Sequence, residues 1–193
     1  IGNFYLRDIA IPSLLERADI GGYALNRLSK DNFADVVSKC LATSRNNDTT
    51  KIRVQDGKVA AMMASSYRII PQPKLYEETS AQLKNKFGGY FESGIWTHKM
   101  SCAEYNVDIP TKDYNDIFKI KGLNFTDIIM SLKVVTSDAG YSGVNLYPIV
   151  VGIMPNGKRF NVPILGSLSM NHTGKASIAE YSSNIGLAFA QCE

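Results

Sequence analysis

The sequence predicts an α+β fold: N-terminal helices, then a largely antiparallel β-sheet built from hairpins, packed by a middle helix and a C-terminal helix. Three observations predict it. Strand-like segments cluster instead of alternating with helices, which is the order of an antiparallel sheet and not of a doubly wound one. Two turn dipeptides, Asp56-Gly57 and Asn156-Gly157, each sit between runs of β-formers. Helical periodicity is confined to residues 8–44, the stretch after Pro71, and residues 177–191. A single domain over 1–193 is expected: a helical part over 1–44, a hairpin-helix-hairpin over 50–107, and a β-rich part with a closing helix over 125–193.

Within the helical part, Ile9, Leu14, Leu15 and Ala18 give a loose helical period broken by Pro12. Gly21-Gly22 interrupts it, and Tyr23, Leu25 and Leu28 predict a short second helix. Ser29 or Asp31 is placed to cap a third, with Phe33, Val36, Val37, Cys40 and Leu41 on one face. The hairpin that follows takes a type I′ turn at Asp56-Gly57, because both central residues need positive φ. That register pairs Val54 with Val59 and Ile52 with Ala61, an apolar face. Arg53 then stands opposite Ala60 and Gln55 opposite Lys58, so Lys51, Arg53 and Lys58 share the other face.

Pro71 and Pro73 open the middle helix, with Leu75, Tyr76, Thr79, Leu83 and Phe87 inward and Gly88-Gly89 as its stop. A strand from Phe91 alternates, with Trp96, His98, Met100 and Cys102 on one side. Residues 106–122 read as a long, charged, exposed connection. Ile128 to Val135 is a strand. Val144 to Met154 and Lys158 to Met170 flank Asn156-Gly157, a second type I′ signal that stacks Ile149, Val151 and Ile153 on Ile164, Val162 and Phe160 as core. Ile178, Tyr181, Ile185 and Phe189 mark the closing helix.

Composition narrows the function classes. No run reaches the roughly 18 apolar residues of a membrane span. Residues 1–8 lack a charged-then-apolar signal pattern, and the missing initiator Met is expected of a trimmed piece of a longer chain. Three cysteines without a CxxC do not make a disulfide framework, which points to a reducing, cytoplasmic setting. The net charge of +3 lies wholly in residues 51–133, with 12 basic and 9 acidic side chains, while both flanks are neutral.

Five phrases occur in one order: Arg17-Ala-Asp-Ile-Gly-Gly-Tyr-Ala-Leu-Asn-Arg-Leu28, Ile52-Arg-Val-Gln-Asp-Gly57, Ala64-Ser-Ser-Tyr-Arg-Ile-Ile70, Thr136-Ser-Asp-Ala-Gly140 and His172-Thr-Gly-Lys175. On these the chain resembles the phage- and plasmid-encoded family described only as domain of unknown function 932. The resemblance implies a protein of mobile genetic elements. It brings no activity and no catalytic residues.

From the residues themselves, the site expected is a nucleic-acid surface of Lys51, Arg53, Lys58, Tyr67, Arg68, Trp96 and Lys99: cations for phosphates and rings for bases. The competing reading of the same residues is a solvated hairpin face with Trp96 in the core. Single-stranded nucleic acid is the expected partner, without enzymatic activity. The second expectation is self-association or protein binding through the charge-poor strands from Val134 to Leu168. Ile11 to Leu28 has a helix-turn-helix rhythm, but Asn26 and Arg27 are poor readers and helix packing explains it better. Gly140-Tyr-Ser-Gly143 and Gly174-Lys175 read as turns, not phosphate loops. His98, Cys102 and His172 are too scattered for a metal site. Glu77, Glu78, Asp113 and Asp116 read as solvated charge. No cofactor, metal or catalytic group is expected.

Overall fold

The computed structural model describes residues 5–45, 50–97, 100–108, 124–163, 167–174 and 176–190. Two sheets organise them. The small one holds β1 (Tyr5–Leu6), β2 (Thr50–Gln55) and β3 (Lys58–Ala64) in the order β1-β3-β2. The large one holds β4 (Phe91–Trp96), β5 (Ser101–Asp108), β6 (Asp127–Thr136), β7 (Val144–Ile153) and β8 (Arg159–Pro163) in chain order, with β9 (Leu168–Met170) also paired to β7. Every pairing in the large sheet is antiparallel. The helices are α1 (Ile11–Arg17), α2 (Lys30–Thr43), α3 (Gln72–Phe87) and α4 (Ile178–Ala190). The α+β class is therefore as expected. β1, at two residues too short to show a period in the sequence, pairs parallel to β3.

The small sheet is covered by the N-terminal helices. Pro12 lies in the first turn of α1, where its missing N–H costs nothing, so it starts that helix instead of breaking it. Ser29 caps α2 by accepting from the Asn32 N–H at 3.3 Å. Between them, Tyr23–Arg27 is a single 3₁₀ stretch with no buried residue, so no second helix of a helix-turn-helix forms. Ala10, Leu14, Ala18 and Val37 pack on Val59 and Met62 of β3.

The Asp56-Gly57 turn is as expected, with φ of 51° and 70°, and Gln55 opposite Lys58. The register then departs from the expectation. Arg53 pairs with Ala61, not Ala60, and Ile52 with Met62, not Ala61. Ala60 is the extra residue of a β-bulge. Because β3 is buried on both faces, the bulge resets its alternation: Val59 and Met62 face the helices, and Ala61 and Met63 face the other way, toward Tyr67 and Ala139.

One core fills the space between the large sheet and α3 with α4. Leu75 and Leu83 of α3 meet Tyr181, Ile185 and Ala188 of α4 over Ala103, Tyr105, Leu132, Val134 and Leu146. Gly88, at φ 75°, ends α3 as expected. Inside this contact Thr79 Oγ1 and Tyr181 Oη lie 2.6 Å apart. Glu78 accepts from Gln82 at 2.8 Å and from Ser182 at 2.7 Å, and these bonds hold its carboxyl below the usual range.

Two strand expectations are corrected. The strand from Phe91 does not continue to Cys102. It turns at Thr97, whose N–H donates to Met100 O at 3.0 Å while its Oγ1 accepts from the Met100 N–H at 2.9 Å. Trp96 consequently pairs with Ser101, and Cys102 with Ile95. The second hairpin is one residue out of the expected register: Ile153 pairs with Arg159, Val151 with Asn161, and Ile149 with Pro163. Pro155 causes this. Its fixed negative φ suits the second position of a type I turn, closed by Gly157 N–H to Met154 O at 2.8 Å, with Gly157 at φ 77°. A one-residue slip reverses faces, and Phe160, expected in the core, is 52% exposed. Ile164 lies outside the described residues.

Candidate functional site

The expected basic face does not lie open. The β2 face that carries Lys51 and Arg53 turns toward the loops after β3, β6 and β9. Lys51 Nζ donates to Tyr67 O at 2.7 Å. Arg53 pairs with Asp138 at 3.2 Å, the two side chains only 27% and 16% exposed. The Tyr67 hydroxyl donates to Ser137 O at 3.0 Å, and its ring stacks on His172 with centroids 4.8 Å apart and planes 9° from parallel. The Arg68 N–H donates to His172 O, and His172 Nδ1 lies 3.0 Å from Arg68 O. Four of the five ordered phrases thus meet in one polar seam.

Of the other residues expected in the site, Lys58 and Arg68 are exposed. Trp96 ends β4 in the large sheet, and Lys99 lies outside the described residues. The structure therefore joins Lys51 to Tyr67, turns Arg53 to Asp138, leaves Lys58 and Arg68 to solvent, and sets Trp96 in the other sheet. The sequence reading named Asp138 and His172 in phrases but missed them as partners of Arg53 and Tyr67. The signal available was the shared order of those phrases.

Burial dominates the electrostatics here. It raises the Asp138 carboxyl above its usual range, against the opposing pull of Arg53 and His172. Burial and the nearby Asp138 together raise the Tyr67 phenol, so this hydroxyl stays a donor. A carbonyl accepts only, so His172 Nδ1 carries a proton toward Arg68. His172 Nε2, Asp138 Oδ1 and Thr136 Oγ1 are buried with no hydrogen-bond partner.

The residues set aside earlier are also placed. Among the described residues no three His, Cys, Asp or Glu gather as metal ligands. His98, Asp113 and Asp116 lie outside the described residues. The Gly140–Gly143 turn has a packing reason at Gly143, where a Cβ would come 2.7 Å from Met170 O. No helix of the described residues is long and apolar enough to cross a membrane. A cavity of about 510 Å³ opens at the other end of the large sheet, between the end of α3 and the β6–β8 strands, and no motif announced it.

Comparison with protein-family models, with curated proteins and with solved structures finds no match.

Proposed function

We propose that this chain is a non-enzymatic accessory protein of a phage or plasmid that binds single-stranded DNA in the cytoplasm. The phage or plasmid origin rests on the five ordered phrases alone. The observation that carries the binding reading is the positive excess of residues 51–133, expressed at the surface by exposed Lys58 and Arg68. Arg68 follows Tyr67 directly, so its cation sits on a loop that the stacked ring and the His172 bonds hold in place. Lys51 and Arg53 act here as braces for that loop, not as phosphate contacts.

A salt titration of fluorescence anisotropy with a labelled single-stranded oligonucleotide tests it. Two phosphate contacts predict a slope of about −1.4 in log K against log salt, since each contributes about −0.7 on single strands. The Lys58→Ala/Arg68→Ala variant is expected to flatten that slope. Absence of binding at low ionic strength overturns the reading.

A second reading, a protein-interaction or assembly module, is favoured by one observation. Ile52 and Val54 are 43% and 44% exposed on β2, an edge strand of the small sheet. Exposed apolar side chains on a free edge are a route to strand addition. This moves the expected surface: Val134, Val144 and Leu146 of the charge-poor strands are buried in the core. Light scattering on the wild type and on Ile52→Lys separates the readings. A concentration-dependent dimer that Ile52→Lys dissolves supports assembly, and a monomer at all concentrations overturns self-association.

A further inference from the structure

We propose that the cavity at the β8 end of the large sheet binds a flat heterocycle that bears a carboxylate or phosphate. The proposal goes beyond nucleic-acid binding at Lys58 and Arg68 and uses neither residue. The cavity, about 510 Å³, falls within the range of sites for small organic ligands. Its walls divide by chemistry. Phe87 and Tyr90 supply aromatic rings, Ile129 and Ile153 supply aliphatic surface, and Asn106 and Arg159 supply polar groups. This is the usual make-up of a small-molecule site: an apolar body with a few polar groups that fix orientation.

Each part is held ready. Gly88, in the left-handed conformation, ends α3 just after Phe87 and turns the chain so that Tyr90 lines the same cavity. The Tyr90 hydroxyl donates to Ser80 Oγ at 2.8 Å, and its ring meets Tyr105 edge-on at 5.5 Å, so the ring is fixed without a ligand. Such prior ordering removes part of the entropic cost of binding.

The polar groups define the ligand. Asn106 Oδ1 is buried with no hydrogen-bond partner. That oxygen has next to no accessible surface, so a ligand in the cavity does not reach it and meets Arg159 instead. Arg159 gives one guanidinium nitrogen to Glu104 Oε1 at 2.7 Å. A guanidinium has five N–H donors in a planar fork, so a second oxyanion can share it. An adjoining depression brings Lys84 and Glu92, which offset each other, so among the described residues Arg159 is the cation that lines the cavity itself.

The test titrates the full chain with adenosine monophosphate, indole-3-carboxylate and adenosine, read by calorimetry or ligand-observed NMR. The expected result is that an anion-bearing probe binds, and that adenosine monophosphate binds about tenfold tighter than adenosine, the worth of one charge-assisted hydrogen bond. Arg159→Gln, at a half-exposed position, is expected to erase that difference, with an unchanged circular dichroism spectrum checking that the variant is folded. Lys58→Ala/Arg68→Ala is expected to leave it unchanged, which separates this site from the nucleic-acid reading. Failure of all three probes at millimolar concentration overturns the proposal. So does equal binding of adenosine and its monophosphate, or an Arg159→Gln variant that binds as the wild type does.

Discussion

Two contacts among the described residues differ in make-up. Between the large sheet and α3 with α4, the contact is hydrocarbon: Leu75, Leu83, Val134, Leu146 and Ile185. Between the small sheet and the loops after β3, β6 and β9, polar pairs surround a small apolar cluster of Ala61, Met63 and Ala139: Arg53 on Asp138, Tyr67 on Ser137, and His172 against Tyr67 and Arg68. Hydrophobic burial is strong but non-directional. Hydrogen bonds and ion pairs contribute less net energy, but they specify geometry and penalise every mismatch. The difference teaches that the first contact stabilises the fold, while the second sets where Arg68 and its loop stand.

The largest expected effect lies in the hydrocarbon contact. Leu83→Ala, at a fully buried position, is expected to cost about 3 kcal/mol in urea unfolding, in line with other core leucines. A cost below about 1 kcal/mol means that this core is looser than its packing implies. Next comes the seam. Arg53→Met leaves the Asp138 charge without its partner and is expected to cost about 2 kcal/mol, less than a fully buried pair because both side chains keep some exposure. Arg53→Met/Asp138→Asn is expected to recover part of that loss. If the double variant is no better than the single one, the pair is not coupled.

Tyr67→Phe removes one hydroxyl, leaves the ring on His172, and is expected to cost about 1 kcal/mol. The sharper readout is geometric: this variant should raise hydrogen exchange in the Arg68 loop and leave α3 and α4 unchanged. Identical exchange everywhere removes the distinction between the two contacts.

The smallest effects are in pH. Asp138 has a raised folded pKa, so its contribution to stability is complete below the unfolded carboxylate value near 3.8 and is lost as pH rises through the folded value. Glu78 has a lowered pKa, so its contribution is present above the unfolded value near 4.5 and is lost as pH falls through the folded one. Unfolding curves between about pH 3 and 7 should therefore show opposite trends when Asp138→Asn and Glu78→Gln are each compared with the wild type. Parallel trends contradict the assignment of burial to one carboxylate and hydrogen bonding to the other.

The sequence made local structure legible and distant pairing much less so. Asp56-Gly57 and Asn156-Gly157 carry the same signal, yet only the first forms the two-residue turn. The residue before the second is Pro155, and its fixed φ decides the turn type and shifts every pair of the following strand. The helix faces of α3 and α4 were readable because their period is local. The Ala60 bulge was not, because it answers to burial on both faces of β3, which no window of sequence records. The composition of the seam was half visible. Arg53 and Tyr67 were expected to serve one surface, but their partners Asp138 and His172 come from much later in the chain. The cavity was invisible for the same reason, since Phe87, Asn106 and Arg159 belong to three separate elements.

The parallel pairing of β1 with β3 carries a consequence for synthesis. A ribosome releases the N-terminal end first, yet Tyr5 and Leu6 find their partners only in Lys58 and Val59. Until the hairpin emerges, α1 has no strand on which to lay Leu14 and Ala18, and those side chains stay wet. β1 and α1 are thus made before the strand on which they settle. A pause or truncation before residue 58 would leave a nascent chain with an exposed apolar helix, the kind of segment on which chaperones act.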